Sequence, residues 1–277
     1  MNPLWISQAL AVLRLEMKKT FFAKRGLWIY VLALGPVLLF GGHSIDQIRT
    51  GRPCDFGQDT NIFATVFQIF YVRLAIFFGC VGIFMNLFRG EVLDKSLHYY
   101  FLAPIRREVL LAGKFLAGLL AAMVIFTTGT LLQIVALYWH FDWSTIEDYL
   151  LHGNGLSHIG AYLGVTVLAC LGYGSVFLAA GVMFRNPIIP AGVILVWESI
   201  NSFLPSLLQK VSVIFYLKSL SPIQVAPQAG PLASLLAINA DPVPAAIAVP
   251  GLLLLAAAVL VIAALEARRM EINYATE

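Results

Sequence analysis

A nucleophilic hydrolase needs a serine or cysteine held beside a base, and a metallohydrolase needs histidines and carboxylates at ligand spacing. This sequence holds neither H-E-x-x-H nor G-x-S-x-G, and shows no repeated His/Asp cluster. Cys54, Cys80 and Cys170 lack metal or redox spacing, so no disulfide framework and no bound metal are expected. Gly172-Tyr173-Gly174-Ser175 has the outline of a serine elbow, but it lies in a small-residue-rich apolar run with no histidine at hand. Close helix packing is the expected role there, as it is for Gly160 and Gly164 in a G-x-x-x-G arrangement. Gly113-Lys114 lacks the earlier glycine of a phosphate-binding loop and is followed by Phe115, so this chain does not bind and hydrolyse ATP by that means. No catalytic residue and no cofactor is assigned to it.

Polar chemistry concentrates in two other places. Arg73 and Glu198 are the clear charges inside long apolar runs. A charge near mid-membrane costs roughly 2.5 to 3.5 kcal/mol on insertion scales, so such residues usually face a partner or a wet cavity. Asn201 follows Glu198 by one helical turn on the same face. The expectation is that Arg73 and Glu198 approach one another and, with Asn201, line a pathway. The competing expectation has Arg73 snorkelling outward and Glu198 held by hydroxyls such as Ser199 or Ser202.

The second place is the segment from Arg89 to Lys114, which carries eight of the chain's 33 charges in 26 residues. It also offers Leu97, Tyr99, Tyr100, Phe101 and Leu102, a larger apolar face than a simple connection needs. Apolar anchors beside charges suit a docking surface, because the anchors give affinity and the charges give orientation.

The elements that must position these residues follow from composition. About 60% of the 277 residues are hydrophobic and 12% are charged, which excludes a soluble globular domain, a disordered chain and a disulfide-rich secreted module. The apolar residues form separated runs rather than short alternations, so the fold class is an all-α integral membrane protein and not a barrel. At ~1.5 Å per residue, six transmembrane helices are expected: Gly26 to Ile45, Asn61 to Phe88, Phe115 to Trp139, Ile159 to Phe184, Ile188 to Leu204 and Ala245 to Leu265. Pro36 is expected to kink the first.

Ile6, Leu10, Leu13, Met17 and Phe21 form one stripe, so residues 1–25 read as an amphipathic interfacial helix on lipid. The basic residues of that stretch, and its length, do not suit a cleaved signal peptide. Residues 205–244 are proline-rich with short apolar runs such as Val213 to Leu217, and are expected as short outer-leaflet helices before the last span. With both termini cytoplasmic, thirteen Lys/Arg fall inside and four, Arg49, Arg52, Lys210 and Lys218, fall outside. The net charge of +3 reflects this topology, and no nucleic-acid partner is implied.

Taken in order, Glu91 and Asp94, then Leu102-Ala103-Pro104-Ile105-Arg106-Arg107, then Gly113-Lys114-Phe115-Leu116-Ala117-Gly118 resemble the permease subunits of type-two ABC exporters. In that family an acidic residue after the second span, a coupling helix and a Leu-x-Pro-hydrophobic-polar-Arg turn lead through a Gly-Lys pair into the third span. The likeness covers the whole chain through the N-terminal helix, the six spans and the apolar outer helices. His98-Tyr99-Tyr100-Phe101 departs from it, standing where many members have smaller aliphatics.

The resemblance implies a single transmembrane domain over residues 1–277 in the inner (plasma) membrane. It implies a second permease chain, expected to be identical, and two copies of a separate ABC ATPase subunit that holds the ATP and Mg. ATPase coupling would fall to Glu91, Asp94, Leu97, Tyr100, Leu102, Pro104, Ile105, Arg106 and Arg107. Two other classes remain open: an ion-coupled secondary transporter, which the intramembrane charges suit although no repeat relates the two halves, and a non-transporting assembly or sensor subunit.

Overall fold

The computed structural model describes residues 3–22, 26–51, 55–93, 106–184, 186, 188–223 and 243–269. Those residues form helices joined by turns. Helix α1 is Pro3–Phe22 and α2 is Leu27–Thr50. Helix α3 runs without a break through Phe56–Val66, Phe67–Ile76, Phe77–Cys80, Val81–Met85 and Asn86–Leu93. Then come α4 (Arg107–Tyr138), α5 (Trp143–Glu147), α6 (Gly155–Met183), α7 (Ile188–Ile200), α8 (Ser206–Gln209), α9 (Val213–Ser219) and α10 (Ala245–Arg269).

Among the described residues, five helices are long and apolar enough to cross a membrane: α2, the 56–88 part of α3, α4, α6 and α10. The chain is a multi-pass helical membrane protein. Each of the five matches an expected span to within one residue at one end or both and, at one end at least, runs on beyond it, because the helix continues past the apolar run into polar residues. The expected fifth span differs. Helix α7 has 13 residues, about 20 Å of rise against a hydrocarbon core of ~30 Å. It tightens into a 3₁₀ turn at Asn201–Phe203 and ends at extended Leu204, the conformation that a following proline, here Pro205, favours.

Helices α4 and α6 form the centre, with α1 and α2 against α4, α10 against α6, and α3 packed along α6. An aromatic column supplies much of the core: Phe63, Phe67, Tyr71, Phe77 and Phe84 of α3 face Phe126 of α4 and Tyr162, Tyr173 and Phe177 of α6. Such large rings need bare backbone opposite. A β-carbon at Gly174 would lie 2.5 Å from Phe84, and one at Gly172 would lie 2.7 Å from Val213, so the Gly172–Ser175 stretch packs as expected. Ser175 is buried and donates to the Gly172 carbonyl (2.8 Å). Gly160 and Gly164 make no such contact within the chain, since among the described residues nothing lies within 4 Å of a β-carbon there. Helix α2 continues through a buried Pro36 and closes on Gly51, whose left-handed φ of 61° lets its N–H reach the Gln47 carbonyl.

Helix α1 forms where a helix is expected, and the face it turns to the bundle is not the Leu10 stripe. Val12 and Glu16 are buried and Leu10 is exposed, because Gly113 of α4 admits Ala9 and Val12 closely. The exposed Leu10 is left for another surface.

Candidate functional site

At one end of the bundle, α3 stops at Leu93 and α4 starts at Arg107, so both roots of the intervening segment are anchored there. Lys114, one of the residues carrying the sequence resemblance, is fully buried. Its Nζ donates to Glu16 Oε1 of α1 (2.8 Å) and to the Leu87 carbonyl of α3 (2.9 Å), and it lies 5.4 Å from the centre of the Phe88 ring. One ammonium thus joins three helices at the point where the charged segment leaves and returns. Glu16, only 3% exposed, completes the pair. Sequence reading did not single it out, because an acidic residue in a basic amphipathic helix reads as solvated; its i, i+4 relation to the buried Val12 was the available signal.

Beside this brace, Arg107 Nη1 donates to the Arg268 carbonyl (2.8 Å), and Glu108 pairs with Arg268. The start of α4 is therefore tied to the C-terminal carbonyls of α10, where a cation is favoured by the helix dipole. Arg106, exposed, precedes the first turn of α4, and Arg106, Arg107, Glu108 and Arg268 line an open cleft of about 470 Å³. Glu91 lies in the last turns of α3. Asp94, Leu97, Tyr100, Leu102, Pro104 and Ile105 lie outside the described residues, as does the Glu91 side chain.

The second site lies inside the bundle. Glu198 of α7 is 3% exposed, and its carboxylate accepts from Ser212 Oγ (2.8 Å), Val213 N (3.0 Å) and Ile214 N (2.9 Å). These are the first donors of α9, so a residue in one helix caps another that begins 15 positions later. The expected local hydroxyls play no such part: Ser199 donates to the Leu195 carbonyl (2.7 Å), and the Ser202 side chain lies outside the described residues. Helix α9 is buried from Val213 to Leu217 against α6 and α10, so this stretch enters the bundle rather than lying in water. Gln68 of α3 holds the chain beyond it, donating to the Ile223 carbonyl (2.6 Å).

Asn201, in the 3₁₀ turn after α7, is fully buried; its Nδ2 donates to the Gln209 carbonyl (3.1 Å), while its Oδ1 accepts no hydrogen bond among the described residues. Arg73 is 2% exposed and sits 17 residues from Phe56 and 15 from Phe88. It lies in the ten-residue π-helical stretch of α3, a conformation that occurs preferentially at functional positions. Its charge acts electrostatically with Tyr173, Glu198 and Lys218.

No family model matches the chain, and no curated protein is similar to it. Function must therefore be argued from the sites themselves.

Among the described residues, one group has the geometry to hold a metal ion: His43, Asp59 and His140, at the opposite end of the bundle from Lys114. Sequence reading expected no metal because these residues belong to three different helix ends, and no short-range spacing joins them.

Proposed function

We propose that this chain is the membrane-spanning permease subunit of an ATP-driven exporter of the type-two ABC class. The observation that carries the reading is the Glu16–Lys114–Leu87 brace. It makes both roots of residues 94–105 rigid with α1, α3 and α4, so a push on that segment moves the bundle and is not absorbed by loose side chains. In this reading residues 89–114 lie in the cytoplasm with both termini, and two copies of a separate ATPase subunit, holding ATP and Mg, dock on them. Helix α7 together with α8 and α9 makes the sixth crossing, α9 being a re-entrant helix tolerated at depth because Glu198 satisfies its first N–H groups. Arg73, Glu198 and Asn201 border the translocation pathway, and a second copy of the chain supplies its other half.

The test is purification from native membranes, asking whether an ATPase subunit accompanies the chain. Glu91→Lys with Asp94→Lys should abolish co-purification and transport-linked ATP hydrolysis while membrane insertion stays normal. Glu198→Gln should leave co-purification intact but lower export. Retention of the ATPase by the charge-reversed variant, or absence of any ATPase with the wild-type chain, would overturn the reading in favour of an ion-coupled or assembly role.

A further inference from the structure

The end of the bundle where α2 finishes, α3 begins and α4 finishes carries a polar cluster that the proposed export cycle does not use. His43 lies near the end of α2, Asp59 in the first turn of α3, and His140 two residues past α4. Their ligating atoms all fall within 4.8 Å of one another. His43 Nε2 stands 3.4 Å, and His140 Nε2 3.2 Å, from the same atom, Asp59 Oδ2. The side chains of Asp59 and His140 are 7% and 3% exposed, and that of His43 is 35% exposed, so His43 forms the solvent side.

The protonation pattern of His140 is informative. Ser44 Oγ has one hydrogen and a carbonyl acceptor at 2.6 Å in Ala136, so toward His140 Nδ1, 3.0 Å away, it acts as the acceptor. Nδ1 then carries the proton, and in a neutral imidazole Nε2 presents a bare lone pair. That Nε2 is buried and makes no hydrogen bond among the described residues. A bare lone pair 3.2 Å from a carboxylate oxygen is unfavourable; a second proton on the ring or a metal cation beside both atoms would relieve it, and the missing N–H···O alignment favours the cation.

We propose that His43, Asp59 and His140 bind a divalent transition-metal ion of the zinc class. Two imidazole nitrogens and one carboxylate oxygen are a borderline donor set that suits zinc better than calcium or magnesium. A tetrahedral ion with bonds near 2.0–2.1 Å places its ligand atoms about 3.3 Å apart. The two separations to Asp59 Oδ2 already match, and rotation of the half-exposed His43 ring closes the third. Ser44 is the outer partner that fixes the His140 tautomer, the usual companion of a metal-ligating histidine. Three protein ligands leave a fourth position for water. The ion clips together the ends of α2, α3 and α4, and it neutralises the buried Asp59.

The experiment uses the untagged full-length chain in detergent, freed of metal with a chelator and titrated with Co²⁺. One Co²⁺ per chain should bind, with the intense visible bands of a four-coordinate site, and Zn²⁺ but not Mg²⁺ or Ca²⁺ should displace it. His43→Gln, on the solvent side and the least disturbing to folding, and His140→Gln should each weaken binding more than about 100-fold; Ser44→Ala, with all ligands intact, should weaken it about 10-fold. Failure of the wild-type chain to bind Co²⁺ stoichiometrically at micromolar concentration would overturn the proposal. So would equal displacement by Mg²⁺, or binding that persists in His43→Gln and His140→Gln chains of native circular dichroism. None of these readouts depends on an ATPase or on export.

Discussion

Lys218 stands half-buried in the last turn of α9, near enough to Arg73 for the two positive charges to repel. Lys218→Met removes that repulsion together with the cost of burying an ammonium, so it should raise the midpoint of thermal unfolding in detergent by roughly 2–4 °C at pH 7. A midpoint unchanged or lowered in the variant would show that this charge does not oppose folding. Glu198 poses the opposite problem in the same neighbourhood. Its charge is satisfied by three donors of α9, which sequence reading could not foresee because Ser212 lies 14 residues away and no helical period links the two.

At the scale of the element, α7 presents an unpartnered apolar line. Ile189, Val193, Val196 and Ile200 are exposed at spacings of four, three and four, one face of a helix. Asn201, the polar residue nearest this helix end, is turned wholly inward. In the proposed dimer this line meets its copy, so single cysteines at Ile189, Val193 and Val196 should crosslink in native membranes, whereas Asn201→Cys should not. Crosslinking from Asn201 equal to that from Val193, or none from any of the three, counts against the arrangement. Helix α3 shows how an element departs from its sequence pattern. Its apolar run is legible as a span, yet two stretches are wound as π-helix, bringing the aromatic column and Arg73 toward α6. Periodicity counted at 3.6 residues per turn cannot foresee that, because the wider winding is chosen by the rings packed against it.

Across the whole molecule, the Glu16–Lys114 pair is where the N-terminal helix becomes part of the bundle. Removing one partner takes away the close counter-charge of the other, although Glu16 keeps Lys19 at 3.9 Å and Lys114 keeps the Leu87 carbonyl. Glu16→Leu or Lys114→Met alone should therefore destabilise the chain by about 3 kcal/mol, while the two together should recover part of that loss. Denaturation midpoints in detergent for the two single variants and the double variant test the coupling; an additive double variant would mean that the two charges do not act as a pair. The segment that this pair anchors lies between α3 and α4, and the His43–Asp59–His140 cluster ties those same helices at their other ends.

That the chain is helical and membrane-embedded was legible in the residues alone, and so were five long spans, with boundaries off by eight residues at most. Those properties depend on composition and on the length of apolar runs, which are local quantities. The sequence also picked out Arg73 and Glu198, because a charge in an apolar run is visible without any structure, and Asn201 one turn from Glu198; Lys114 entered through the family resemblance instead. What those residues meet is a product of packing: Glu16 for Lys114, the start of α9 for Glu198, and a shared Asp59 oxygen for two histidines. Packing likewise leaves α7 short, and it brings nothing among the described residues against Gly160 and Gly164. The reason is physical: a buried polar group is satisfied by whichever donor or acceptor packing brings within about 3 Å, and in a helical bundle that partner lies on another helix at no fixed distance along the chain.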